Sequence, residues 1–288
     1  MLCYFVSDLH GRIGRYLALL ERIESEKPDA LFMGGDLLPM DLDLSWANQS
    51  DHRDFISDFL IPAFSKSAQS KSASIPRSFL ILGNDDPRYH EETLFKGQEM
   101  GVWEYLHGRS TEFAGRKVFG YSHIPPTPFQ LKDWERYDVS RFVDPGCISP
   151  EEGRRSVESD VLKQRYSTIQ KDLTALAEGQ DLRQDIFLFH SPPYQSSLDR
   201  AALDGQMVDH VPRDVHVGSI AIRRFIEEHQ PALTLHGHVH ESTRLTGKWK
   251  DRIGETVCLQ AAHDGPELSL IRFDPDDPAA ATREIISA

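Results

Sequence analysis

Five short clusters of metal-capable side chains punctuate the chain: Asp8-Leu9-His10, Gly34-Gly35-Asp36, Gly83-Asn84-Asp85-Asp86, His190, and Gly237-His238-Val239-His240. Carboxylate, amide oxygen and imidazole together form a donor set that holds divalent cations. A mixed imidazole and carboxylate set suits Mn²⁺, Fe²⁺/Fe³⁺, Zn²⁺, Co²⁺ or Ni²⁺ better than Ca²⁺. Taken singly, the clusters have ordinary readings. An Asp can cap a helix, Gly-Asp and Gly-Asn-Asp favour turns, and a lone histidine can be satisfied by a backbone carbonyl. The Gly-His-x-His cluster is the most specific, because two histidines at i and i+2 of an extended turn can reach two adjacent ions.

Each cluster ends an apolar run: Tyr4–Val6, Ala30–Met33, Phe79–Leu82, Ile186–Phe189 and Ala232–Leu235. Runs that are apolar on both faces predict strands of covered sheets, and in α/β sheets ligands collect beyond the strands' carboxyl ends. Ile13, Tyr16, Leu17, Leu20 and Ile23 recur at three- and four-residue steps and predict a helix over 13–26. Residues 51–64 and 154–178 also read as helices. A helix over 218–229 has Ser219 as N-cap and Pro231 beyond its end. Ser65–Ser74 reads as a surface loop, and Thr256–Leu259 and Leu268–Phe273 read as two closing strands. No repeat or linker divides the chain. The expectation is a single domain over 1–288 with insertions near 40–76 and 123–152.

Of the 288 residues 39% are hydrophobic and 27% charged, which excludes a disordered chain. No apolar run approaches the roughly 18 residues of a membrane span, so no membrane partner is expected. The start at Met1 lacks the basic region and cleavage site of a secretory signal. Cys3, Cys147 and Cys258 are odd in number and widely spread, as reduced cytoplasmic thiols would be. A net charge of −13 argues against a long nucleic-acid partner, although bound cations can reverse the sign locally.

The order D-x-H, G-D, G-N-D, H, G-H-x-H resembles the calcineurin-like metallophosphoesterase family across residues 8–240. The stretch Leu233–Ser242 and the following Gly247 resemble its Icc-related bacterial branch. The resemblance implies an α/β fold, a four-layer αββα sandwich of two mixed sheets flanked by helices. It implies one ion on Asp8, His10, Asp36 and His240, and another on Asp36, Asn84, His190 and His238, with Asp36 bridging. Two such ions can share a water, lower its pKa and hold phosphoryl oxygens for in-line attack. The implied activity is dinuclear-metal-dependent hydrolysis of a small phosphoester.

One position departs from the family's third motif, G-N-H-[DE], whose histidine contacts phosphate and can protonate the leaving oxygen. Asp85 stands there. An ordinary Asp titrates near about 3.9 and would be ionised. Only burial or a neighbouring anion would raise it enough for acid catalysis, and two cations would oppose that. The expectation is an orienting role, which tilts the substrate towards diesters or activated esters over simple alkyl monoesters. Other candidate donors are His123, in an insertion expected to roof the site, and His216, before a helix N-terminus. His236 reads as packing, and His263 carries no implied role. Trp134 and Trp249 could stack a nucleobase or simply pack. The other readings are a monoesterase, a nuclease and a catalytically weak scaffold; in scaffolds the ligands erode, whereas here all seven hold the expected types.

Overall fold

The computed structural model describes residues 1–39, 54–69 and 76–288. Much of the insertion expected near 40–76 therefore lies outside the described residues, as do 70–74 of the expected Ser65–Ser74 loop. Residues 65–69 finish a helix instead. The first half runs β1 (Cys3–Val6), α1 (Ile13–Glu26), β2 (Ala30–Gly34), α2 (Ile61–Gln69), β3 (Arg77–Ile81), α3 (Glu91–Glu99), β4 (Glu104–Tyr105), β5 (Arg109–Phe113) and β6 (Arg116–Tyr121). Next come α4 (Val161–Tyr166), α5 (Ile169–Ala177), β7 (Ile186–Phe189), β8 (Met207–Val208), β9 (Val211–Pro212), α6 (Ile220–His229) and β10 (Leu233–His236). The chain closes with α7 (Ser242–Thr246), β11 (Lys250–Ile253), β12 (Thr256–Gln260), β13 (Leu268–Asp274) and β14 (Asp277–Ile286).

Two six-stranded sheets carry the fold, in the orders β14-β13-β1-β2-β3-β4 and β11-β12-β10-β7-β6-β5. Both are mixed. β1, β2, β3 and β4 run parallel, with β13 antiparallel to β1. β6, β7, β10 and β12 run parallel, with β5 and β11 antiparallel at the edges. Side chains alternate faces along a strand, and the core divides accordingly. Cys3, Phe5, Ala30, Phe32, Phe79 and Ile81 share one cluster with Ile186, Leu188, Leu233 and Leu235 of the other sheet. Their neighbours Tyr4, Val6, Leu31, Met33 and Leu80 pack with Tyr16, Leu19 and Phe64 from α1 and α2. Phe187 and Phe189 pack with Leu173 of α5 and Phe225 of α6. That is the αββα sandwich, and it explains why the strands are apolar at every position.

Two local readings are corrected. The buried face of α1 is Tyr16, Leu19 and Ile23, while Ile13 and Leu17 are 48% and 56% exposed. The single helix expected over 154–178 is two, α4 and α5, because Ser167 and Thr168 are extended and Thr168 caps α5 through the Lys171 N–H. The helix after Ser219 forms as expected, with the Ser219 hydroxyl accepting from the Ile222 N–H. Among the described residues no helix is long and apolar enough to cross a membrane.

Candidate metal centre

β1, β2 and β3 of one sheet and β7 and β10 of the other end at a common edge, and backbone hydrogen bonds stitch their loops together. The Asp8 N–H donates to the Gly35 carbonyl at 2.9 Å, and the Gly237 N–H to the His190 carbonyl at 2.9 Å. The His238 N–H donates to Asp8 Oδ1 at 3.0 Å, so the two sheets meet at a side chain proposed for metal binding.

Four of the seven sequence-derived ligands sit in the left-handed region: Asp8 (φ 56°), His10 (48°), Asp36 (52°) and His238 (76°). Each such residue costs of order 1–3 kcal/mol, and such strain clusters at functional sites. These four residues lie in the short loops after β1, β2 and β10. Glycine makes room beside them. A Cβ on Gly83 would stand 2.3 Å from Asp36 Oδ1 and 2.6 Å from His190 Cε1.

Donor atoms of Asp8, His10, Asp36 and His240 lie within 4.8 Å of one another. His240 Nε2 is 3.1 Å from Asp8 Oδ1 and 3.1 Å from His10 Nε2. His190 Nε2 is 3.4 Å from Asp36 Oδ2 and 3.0 Å from Asn84 Oδ1. The His238 ring lies 5.3 Å from that of His190. His190 Nδ1 is 2.8 Å from the Gly34 carbonyl; donating there, it leaves the Nε2 lone pair for an ion, the usual way a ligating histidine is oriented. The donor chemistry fits divalent cations.

The electrostatics call for positive charge. Asp8 and Asp36 are buried, and an unpaired buried carboxylate is costly. Burial alone would raise both, yet His240 beside Asp8 and His190 beside Asp36 hold them below the usual carboxylate range. Burial would likewise lower His190, but the Asp36 and Asp8 carboxylates lift it to about 10. Bound cations would supply the same balance. Asp85 carries the opposite shift. Burial and the Asp36 charge push its carboxyl up to about 7, the two causes expected from sequence to be able to raise it. Nearby cations would favour the carboxylate again.

Two residues hold the loops: Asp86, named in its cluster without a role of its own, and Arg15, which sequence reasoning passed over. Asp86 accepts from the amides of Leu37 (3.1 Å), Leu38 (2.7 Å) and Gly83 (2.9 Å). Arg15 is buried on α1 and bridges the carbonyls of Asp8 and Gly265. An arginine on the core-facing side of an amphipathic helix was the available signal for it.

The two other candidate donors stand elsewhere. His123 packs against His107, Tyr121 and Trp134 and opens on a cavity that none of the seven ligands lines. His216 Nδ1 lies 2.8 Å from Asp199 Oδ1, in another cavity that none of the seven lines. Neither is placed with the metal group. His236 bonds Ser191 and Thr234 and stacks on Phe189, which is packing. Trp134 is buried and donates to the Asp86 carbonyl at 2.7 Å, so it offers no face to a nucleobase. Trp249 packs on the inter-sheet core, and His263 bonds Glu267.

The model of the calcineurin-like phosphoesterase family matches residues 1–242. Two crystal structures each superpose on 99% of this chain with a TM-score of 0.57. One is 16% identical with 99% of its own chain covered. The other, TT1561 of Thermus thermophilus, is 17% identical with 98% covered. At that identity they bear on the fold alone. An uncharacterized protein of Methanocaldococcus jannaschii is 35% identical over 79 residues, which are 26% of this chain and span only 30% of that relative's length. With the family model matched from the first strand through the Gly-His-x-His loop, the chain belongs to the calcineurin-like phosphoesterase family.

Proposed function

We propose that this chain hydrolyses a small phosphodiester or an activated phosphoester with two metal ions held by Asp8, His10, Asp36, Asn84, His190, His238 and His240. The observation that carries this reading is the convergence of the Asp8, His10, Asp36 and His240 donors within 4.8 Å, with His190 Nε2 3.4 Å from the same Asp36 and 3.0 Å from Asn84 Oδ1. Bound there, two cations such as Mn, Fe, Zn, Co or Ni would lower the pKa of a shared water and neutralise phosphoryl oxygens.

The chain's own groups prepare the site. Asp36 takes the Asp85 N–H on Oδ1 at 2.8 Å, which fixes the carboxylate while Oδ2 faces His190 and His10 at 3.4 and 4.0 Å. Gly34 orients His190. Asp85, tethered to the Asn84 amide at 2.9 Å, orients rather than protonates. A leaving group that departs without much protonic help then suits the site, which favours diesters over alkyl monoesters.

Metal analysis of the purified, metal-supplemented protein, paired with hydrolysis of matched aryl phosphate mono- and diesters across pH, tests this. Two equivalents of metal and faster diester cleavage are expected. Less than one equivalent would favour a scaffold, and a clear monoester preference would overturn the leaning to diesters.

A further inference from the structure

The cavity that receives His123 has a volume of about 1090 Å³, and its walls include Arg88, His107, Tyr121, His123, Arg136 and Arg155. Its hydrogen-bonding groups are unevenly used. His107 Nδ1 accepts from the Ser122 N–H at 3.1 Å, so the neutral ring carries its proton on Nε2 as a donor. His123 stands edge-on to it at 4.9 Å and is 3% exposed. No hydrogen bond within ordinary geometry meets its buried Nδ1, although the Trp134 carbonyl, which accepts from the Ile124 amide at 2.9 Å, still has a lone pair facing the ring. Burial, with Arg88 and Arg136 close by, pushes His107 down to about 3 and His123 well below its ordinary value. Both rings are therefore neutral beside the two arginines.

The acids around the cavity are occupied or outlying. Glu91 takes Arg88 Nε (2.7 Å) and the Tyr105 hydroxyl (2.7 Å). Asp172 takes Arg136 Nη1 and the Tyr121 hydroxyl. Asp133 takes the Arg88 and Ser156 amides, and Glu135 takes Lys132 and Thr127. Glu92 pairs with Lys96, Asp160 caps α4, and Glu158 is exposed. Among the described residues no acceptor meets the two Nη groups of Arg88, or Nε and Nη2 of Arg136. Arg155 meets only carbonyls, those of Lys132 and Pro150. Arg88, stacked over the Trp134 ring at 4.9 Å, and Arg136 keep accessible guanidinium N–H groups on this wall, a donor geometry that suits an oxyanion.

We propose that this cavity is a second binding site, separate from the metal centre, for a small molecule bearing a phosphate or carboxylate oxyanion. The guanidinium N–H groups of Arg88 and Arg136 left over from their pairs with Glu91 and Asp172 would donate to it, and the neutral His107 Nε2–H, with His123 packed against that ring, would add a hydrogen bond. The site sits against the catalytic loops: Arg88 follows the Asn84-Asp85-Asp86 segment directly after Pro87, and Trp134 donates to the Asp86 carbonyl.

Inorganic phosphate and succinate, titrated separately into the full-length protein, distinguish the two oxyanion sources. The readouts are calorimetry and the imidazole nitrogen resonances of His107 and His123. A saturable shift of both imidazoles by phosphate alone identifies a phosphorylated ligand, by succinate alone a carboxylate, and by both a general oxyanion site. Arg88→Met and Arg136→Met are each expected to weaken that binding by about tenfold with the metal content unchanged. Neither anion moving the two imidazoles of the folded wild-type protein would overturn the proposal. So would unaltered affinity in both arginine variants.

Discussion

His10 Nδ1 lies 3.7 Å from Asp85 Oδ2, and no hydrogen-bond partner meets that buried nitrogen. His10 turns Nε2 towards His240 at 3.1 Å, so a ligating His10 carries its proton on Nδ1. Leaving a buried N–H unmet costs about 1–3 kcal/mol, and a small rotation of Asp85 closes the gap. Such carboxylate partners of ligating histidines typically matter by about 10–100-fold in metal affinity. Asp85→Ala is expected to lose affinity on that scale, and Asp85→Asn, which keeps an acceptor oxygen, to lose less. Calorimetric metal titration of the three proteins checks it. Unchanged metal affinity with turnover abolished in Asp85→Asn would make Asp85 the proton donor instead.

The glycine before Asn84 sets the spacing between the two sheets' ligands. A Cβ on Gly83 would press on Asp36 Oδ1 at 2.3 Å and on His190 Cε1 at 2.6 Å. Neither can retreat, because Asp36 holds the Asp85 amide and His190 holds the Gly34 carbonyl. Gly83→Ala should therefore lower metal occupancy and phosphoesterase activity together, while the circular dichroism spectrum stays native. Full metal occupancy in the variant would show that the loops are softer than these contacts imply.

Asp86 is a test of loop order rather than ligation. Asp86→Ala would strand the amides of Leu37, Leu38 and Gly83, which now meet its carboxylate at 2.7 to 3.1 Å. At about 1 kcal/mol or more for each stranded buried donor, the expected loss is about 3 kcal/mol in denaturant unfolding, with Asp86→Asn intermediate. A loss well under about 1 kcal/mol would mean that water takes over these amides.

These particulars mark what could be read from the chain. β1, β2, β3, β7 and β10 were legible because both sheet faces are covered, which leaves runs such as Ile186–Phe189 wholly apolar. The clusters after them were legible because each follows such a run. Strand β14 was not: it opens Asp277-Pro278-Ala279-Ala280, and most of its residues are exposed or half-buried, so no clean alternation marks it. The motif singled out Asp85, but nothing in the sequence told that Asp86 beside it collects the Leu37, Leu38 and Gly83 amides, because two of those amides come from another loop. His123 and His216 read as candidate donors because loop length alone does not say which cavity a side chain enters. His107 carried no local signal at all, since the Ser122 amide that sets its tautomer belongs to another strand end.

Stability at acid pH should depend on a pair far from the centre. Arg272 grips Glu26 through Nε and Nη2, both at 2.7 Å, joining α1 to β13. This bidentate contact holds the Glu26 carboxyl down to about 2, against an ordinary value of 4.5. A depressed acid favours the folded state once the unfolded chain would have ionised, so the contribution is complete above about pH 4.5. It is lost as pH falls through about 2. Glu26 is partly exposed, and solvent screening trims the contribution to about 1–2 kcal/mol. Glu26→Gln is therefore expected to lower stability by that amount at pH 7, with the gap from wild type narrowing steadily below pH 4.5. Paired urea titrations across that range decide it, and a gap independent of pH would assign the loss to packing of the glutamate stem instead.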